Sequence, residues 1–247
     1  MKKPAATAAE WAPAAAMIRN NWNQRAGETG STRLHLPSRP WYRFAIDLLR
    51  RRLPGATDGG RVLDVGCGTG EFLVLLRELG FEAEGVEGNR EQSQQVRSLG
   101  FPVQTADMEE GLPYPDRVFP LVTCLELIEH IALAEALLEE IHRVLKPGGH
   151  LLLTTPNFSF LNNRFHYLCG KGPLNEGIHL RYFHRDRLLS LLGKAGFEVV
   201  AKNSYGPIPL WSSLAIRILH RECPLWRVLG WLEGLLAYDF IYLAVKR

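Results

Sequence analysis

Ten residues, LDVGCGTGEF (63–72), constrain this chain more than any other stretch. Three glycines, Gly66, Gly68 and Gly70, stand at alternate positions between an apolar run (RVLDV) and a segment with helical periodicity (GEFLVLLRELG). Glycine inside a regular element costs about 0.5–1 kcal/mol relative to alanine. Three together therefore predict a backbone that bends sharply and lets a ligand come close. A strand–glycine–helix order also leaves free N–H groups at a helix N-terminus, an anion site. A dinucleotide turn of the form G-x-G-x-x-G needs a small third residue for helix packing, and that position holds Glu71. A bulky acid there argues against a pyrophosphate. Asp64, two residues ahead of the first glycine, would repel a phosphate but suits a ligand ammonium, directly or through water.

The rest of the chain alternates strand and helix. EAEGVEG, FPVQTAD, VFPLVTCLEL, HLLLTT, FEVVAKN and FIYLAVKR read as further strands. PWYRFAIDLLRRRL (40–53) is an amphipathic helix with Trp41, Phe44, Ala45, Leu48 and Leu49 on one face. Asn89 is placed to cap NREQSQQVRSLG, and Gly80 to close the helix after the glycine turn. ALAEALLEEIHRVL stops ahead of Pro147 and its neighbours Gly148 and Gly149. This order predicts an α/β doubly wound sheet, mostly parallel. Residues 1–38 read as an alanine-rich lead-in, poorly ordered or helical, with the working domain at 39–247. Two segments break the alternation: 156–186, long, aromatic and poor in helix signals, and 205–237, with Trp211, Trp226 and Trp231. Loops of such length usually carry function.

Several classes are excluded by simple counts. The four cysteines, Cys67, Cys124, Cys169 and Cys223, are far apart and form no CxxC pair, which reads as reduced thiols of a cytoplasmic protein. A net charge of +3 with no basic stripe disfavours nucleic acid. Glu10, Pro4 and Pro13 interrupt what would be a signal peptide. No stretch approaches the roughly 20 apolar residues of a spanning helix.

RVLDVGCGTGEF resembles the first motif of the class I S-adenosylmethionine-dependent methyltransferases, and the resemblance extends over roughly Arg61 to Val200. It implies a Rossmann-like doubly wound sheet of seven strands, the last antiparallel, with a helical insertion before that strand. It also implies S-adenosyl-L-methionine as cofactor. Asp64 and the turn residues Gly66, Cys67, Gly68 and Gly70 would then take the methionine end. Glu87 lies 21 residues after Gly66, the spacing of an acid that binds ribose hydroxyls, and Gly88 and Asn89 follow it. TADMEEGLPYPD resembles the third motif, in which Asp107 would bind the adenine amino group and Met108 lie against the ring. RVLKPGGHLLLTTPN resembles the helix-to-fifth-strand signature, and Leu125 falls on the cofactor side of the fourth strand. Where relatives often read Phe-Asp, this chain has Phe119-Pro120, so the fourth strand is expected to start one residue late.

Methyl transfer from a sulfonium is an in-line displacement that needs an aligned acceptor and, for a hydroxyl, a proton acceptor. CLELIEHI places His130 beside the expected methyl group, with a pKa suited to a general base. Glu126, Glu129 and His130 form an E-x-x-E-H cluster that resembles quinone-ring O-methyltransferases and small-RNA 2′-O-methyltransferases. In those families such residues can hold a divalent cation, here with His179 as fourth ligand. Two carboxylates and imidazole suit manganese or zinc better than magnesium. A solvated or helix-capping role for Glu126 and Glu129 stays open. GIHLRYFHRDRLL resembles the acceptor-side segment of bacterial methyltransferases acting on glycans, lipids and quinones, with His179, Arg181, Tyr182 and Phe183 as candidate pocket residues. His184 or Asp186 would sit at the next helix start. Phe158, Phe160, Phe165 and Tyr167 divide between core and pocket wall.

The expected activity is O-methylation of a small-molecule, glycan- or lipid-linked hydroxyl. A non-catalytic cofactor-binding subunit and a metal-assisted quinone or RNA 2′-O-methyltransferase are the alternatives. Segment 205–237, with Arg217, Arg221 and Arg227 among its tryptophans, offers a lid, a homodimer interface or a peripheral membrane contact.

Overall fold

A computed structural model of the chain describes residues 39–54, 60–172, 179–207, 225–228 and 230–247. The lead-in 1–38, most of the insertion, and Trp211, Arg217, Arg221 and Cys223 lie outside the described residues.

The glycine turn joins β1 (Arg61–Val65) to α2 (Glu71–Glu78), preceded by α1 (Pro40–Arg52). Then follow β2 (Glu82–Glu87), α3 (Arg90–Ser98), β3 (Val103–Thr105), β4 (Phe119–Leu125), α4 (Ala134–Val144) and β5 (Leu145–Pro156). The C-terminal half holds α5 (Leu161–Leu168), α6 (Arg185–Lys194), β6 (Phe197–Lys202), β7 (Tyr205–Pro207), β8 (Leu225–Arg227), α7 (Glu233–Leu236) and β9 (Asp239–Lys246). Strands lie in the order β3-β2-β1-β4-β5-β9, with β6 on the far side of β9. The pairs from β3 to β5 are parallel, and β9 runs antiparallel to both β5 and β6. The order reverses between β1 and β4, which opens a crevice at their carboxyl ends.

Both faces are covered because residues along each central strand alternate between two apolar layers. Val62 packs with α1, α2 and α3, whereas Leu63 and Val65 pack with α4 and α6. Phe44, Ala45, Leu48 and Leu49 of the expected α1 face are buried and Trp41 is half-buried, with Tyr42 and Ile46 extending the face, while Arg43, Arg50, Arg51 and Arg52 stay exposed. The Phe44 ring stacks on Tyr205 at 4.7 Å, and Asn203 Nδ2 donates to the Phe44 carbonyl at 2.7 Å, which fixes α1 to the sheet. Asn89 caps α3 as expected, its Oδ1 accepting from Glu91 N and Gln92 N.

Two expectations need correction. Pro120 does not delay β4: the strand starts at Phe119 and takes up the missing donor as a register shift between Phe119 and Leu121. Segment 156–186 contains a helix, α5. Most of the expected helical insertion, 205–237, lies outside the described residues; its described ends are short paired strands, β7 and β8, followed by a single helical turn, α7. Among the described residues no helix is long and apolar enough to cross a membrane.

Candidate active site

Gly66, Gly68 and Gly70 adopt φ of +72°, +54° and +85°, a left-handed alternation that other residues resist. Their surroundings differ. A Cβ on Gly66 would meet the Leu127 side chain and one on Gly70 the Val96 side chain, but nothing lies within 4 Å of one on Gly68. Gly68 opens onto a cavity of about 240 Å³ at the ends of β1, β2 and β4.

Glu87 joins this turn to β2. Its Oε2 accepts from Gly68 N and its Oε1 from Asn89 N, both at 2.8 Å. Burial raises the pKa of this carboxyl, and the N–H donors oppose the shift. Gly88, Asn89, Asp107 and Met108 complete that wall, and Asp107 Oδ1 accepts from Glu109 N at 3.0 Å. Leu125 and Leu127 close the opposite side. Asp64 lies behind the turn, buried, and accepts from Thr123 Oγ1 at 2.6 Å. Desolvation pushes its pKa up to about 7, with the Glu87 charge adding to it. Cys67 and Gly70 do not line the cavity: the Cys67 thiol packs into the space left by Gly85 on β2.

Across the cavity the chain turns through Glu126, at φ +51°, into a short 3-10 helix, Ile128–His130. Ligand atoms of Glu129, His130 and His179 all lie within 4.8 Å of one another. Glu129 Oε2 accepts from Thr155 Oγ1 at 3.0 Å, while its buried Oε1 has no hydrogen-bond partner among the described residues. That oxygen lies 3.8 Å from His130 Nε2. Burial pushes the Glu129 carboxyl up to about 8. His179 reaches the cluster from far along the chain because Leu180 N and Arg181 N both donate to the Glu129 carbonyl, at 2.9 and 3.0 Å. Glu126 is not part of the cluster: Thr154 Oγ1 donates to its Oε1 at 2.7 Å and accepts from its backbone N–H. Burial beside Asp239 and Glu129 raises its pKa well above the usual carboxylate range.

Residues 38–202 match a family model described as "Methyltransferase domain". The chain belongs to the class I S-adenosylmethionine-dependent methyltransferases.

The methyltransferase is 32% identical over 106 residues to a ubiquinone biosynthesis O-methyltransferase of Proteus mirabilis, covering 40% of this chain and 43% of that one. It is 30% identical over 190 residues to a ubiquinone/menaquinone biosynthesis C-methyltransferase of Cronobacter sakazakii, covering 66% and 74%. The chain spans 43% to 64% of the length of four curated relatives, the Proteus mirabilis enzyme among them. A methyltransferase crystal structure from Archaeoglobus fulgidus superposes with a TM-score of 0.60 at 22% identity, covering 83% of this chain and 94% of that one. The last likeness concerns the fold alone.

S-adenosylmethionine is the cofactor of this methyltransferase. The cavity fits it in two respects: the space over Gly68 is open, and the buried Gln92 Oε1 has no hydrogen-bond partner among the described residues. Gln92, Arg39 and Thr69 line the cavity without any sequence signal to mark them. Arg39 pairs with Glu71 at 3.3 Å, so the residue just before α1 reaches the mouth of the site.

Of the proposed acceptor residues, only His179 joins the cluster. The Arg181 guanidinium ties to the Ala132 carbonyl and to Glu135 at 2.8 Å, which makes it a tether. Phe183 is fully buried among α4 and α6 residues, and its carbonyl accepts from Phe158 N at 3.1 Å. Tyr182 is exposed, its ring 4.3 Å from that of Phe158. Phe158 and Phe160 are buried, whereas Phe165 and Tyr167 are neither core nor cavity wall. His184 is the cap of α6, its Nδ1 accepting from Arg187 N at 3.4 Å.

Proposed function

We propose that this methyltransferase methylates an acceptor hydroxyl, and that Glu129, His130 and His179 form a site for a divalent cation beside the cofactor. The convergence of these three side chains beside the glycine-turn cavity, whose wall His130 lines, carries the reading. A carboxylate oxygen buried without a hydrogen bond, next to two imidazoles, is costly unless a cation or proton compensates it. Bound there, manganese or zinc would supply Lewis acidity to an oxygen acceptor. The relatives' names include both an O- and a C-methyltransferase, and a cation favours oxygen because a hydroxyl is a ligand and a carbon is not.

On the cofactor side, Glu87 keeps acceptor capacity on both oxygens for ribose hydroxyls. Asp107 and Met108 frame the adenine, and the amides of the glycine turn face the methionine carboxylate. Asp64, behind the turn, acts on the ammonium end through the turn or through water. In the transfer the sulfonium–methyl bond breaks with its electron pair staying on sulfur, an oxygen–methyl bond forms, and the hydroxyl proton, acidified by the cation, would pass to solvent water. His130 cannot serve as base and ligand through the same Nε2. The nearness of that nitrogen to Glu129 favours the ligand role, and His130 is left as the base only if no cation binds.

Isotope-labelled S-adenosylmethionine with pooled hydroxyl acceptors tests the reading. Chelation should abolish transfer and manganese or zinc restore it, with the metal found by elemental analysis. Full transfer after exhaustive chelation would leave His130 as a metal-free base and overturn the cation site.

A further inference from the structure

Four of the five large apolar side chains left exposed among the described residues are on or beside α5. Phe165, Tyr167 and Leu168 are 59%, 47% and 83% exposed, and Tyr182 is 51% exposed. Burial raises the Tyr167 pKa, and Tyr182 stands near enough to add to the shift. The helix is turned inside out. Leu161, Phe165 and Leu168 follow the i, i+4, i+7 spacing of an apolar stripe, yet Leu161 is only half-buried and Phe165 and Leu168 face outward while the polar Asn163 is buried.

Charge distinguishes the partner. Exposed Arg164 and Lys171 flank the stripe, and the described residues 157–172 and 179–185 contain no aspartate or glutamate. Among the described residues, a patch of leucine and aromatic side chains flanked by Arg164 and Lys171, with the next carboxylate, Asp186, paired to Arg185, is complementary to an anionic lipid surface. The patch is also continuous with the site. Rings run from His130 to His179 at 4.8 Å, to Phe158 at 5.3 Å and to Tyr182 at 4.3 Å.

We propose that α5 and Tyr182 form a docking surface for an anionic lipid bilayer, holding the acceptor side of the cavity against the membrane. The surface stands independently of the hydroxyl chemistry and does not use the insertion at 205–237. Phe165 and Leu168 enter the acyl boundary, Tyr167 and Tyr182 keep their hydroxyls at the headgroups, and Arg164 and Lys171 meet the lipid phosphates.

The test is co-sedimentation of the full chain with vesicles of phosphatidylcholine alone or mixed with phosphatidylglycerol. Binding is expected only to the mixed vesicles, falling as salt is raised. Phe165→Ser with Leu168→Ser should lower partitioning about ten-fold or more, the effect of keeping two apolar side chains out of the lipid. Arg164→Glu with Lys171→Glu should remove the preference for anionic lipid. Val200→Ser, at the exposed apolar residue of β6, should change nothing. All variants should bind S-adenosylmethionine like the parent, which shows that they fold and keeps this test separate from that of methyl transfer. Equal binding to both vesicle types, or none to either, overturns the proposal. So does a dimer in sedimentation velocity that dissociates in the Leu168 variant, which would make the stripe a self-association face.

Discussion

Gly68→Ala separates the two uses of glycine in the turn. With φ at +54°, an L-residue there costs about 1–2 kcal/mol. The added methyl meets nothing within 4 Å, and the bond from Gly68 N to Glu87 survives, so no packing penalty is added. Thermal unfolding should therefore fall by only about 2–8 °C for a chain of this size. The methyl instead occupies the space over which the cofactor lies, and calorimetry should show S-adenosylmethionine binding weakened about ten-fold or more, roughly the value of 1.4 kcal/mol or greater. Gly85→Ala is the counter-experiment. Its methyl would stand 2.5 Å from Cys67 Sγ between two packed layers, an overpacking cost of about 1–3 kcal/mol. Cys67→Ala should return much of that loss. A Gly68→Ala protein that binds cofactor like the parent would refute the assignment of this cavity, and an unfolding shift well beyond about 8 °C would refute the open space over Gly68.

The remaining predictions concern the far wall and the buried acids. Glu129→Gln should lose bound manganese or zinc, whereas Glu126→Gln should keep it, because Thr154 already holds that side chain apart from the cluster; equal loss in both would restore the four-residue site. Arg181→Ala removes charged hydrogen bonds to Ala132 and Glu135, costs about 1–3 kcal/mol, and should weaken metal retention with cofactor affinity unchanged in calorimetry. Asp64 and Asp239 have pKa values raised to about 7 by burial, so between about pH 4 and 7 the native state holds protons that the unfolded chain has released. Stability must then fall as pH rises through that window, and Asp64→Asn should flatten the decline in denaturant titrations; an unchanged slope would show that Asp64 does not titrate there.

Much of the cofactor half was legible because its requirements are local. The glycine alternation, the acid at the end of β2 and the Asn89 cap each depend on residues within one strand–turn–helix unit. The acceptor half was less legible because its roles are set across the sheet. Nothing near Arg181 in sequence reveals that Glu135, on α4, will hold its guanidinium, or that Phe183 will fill the layer between α4 and α6. The helix α5 escaped notice because Asn162 and Asn163 are weak helix formers and its apolar stripe faces away from the core. Arg39 has no local signal at all, since only the packing of α1 on Tyr205 and Asn203 brings it to the cavity. Glu126 shows the limit of motif spacing: the first acid of E-x-x-E-H is in register, but a left-handed backbone and one threonine hydroxyl turn it away.

The Glu87 carboxylate has a consequence for molecules smaller than the cofactor. One oxygen holds the amide of Gly68 and the other that of Asn89, so a single carboxylate joins the glycine turn to the start of α3, which on the proposed reading face the amino-acid and nucleoside ends of the cofactor. A fragment that orders Glu87 from one end therefore shapes the other end before anything occupies it. Adenosine and methionine, added as separate molecules, should each tighten the other by the same factor, as reciprocity between linked sites requires. The enzyme would thus sense the covalent joining of the two halves twice, once through the linker and once through its own backbone.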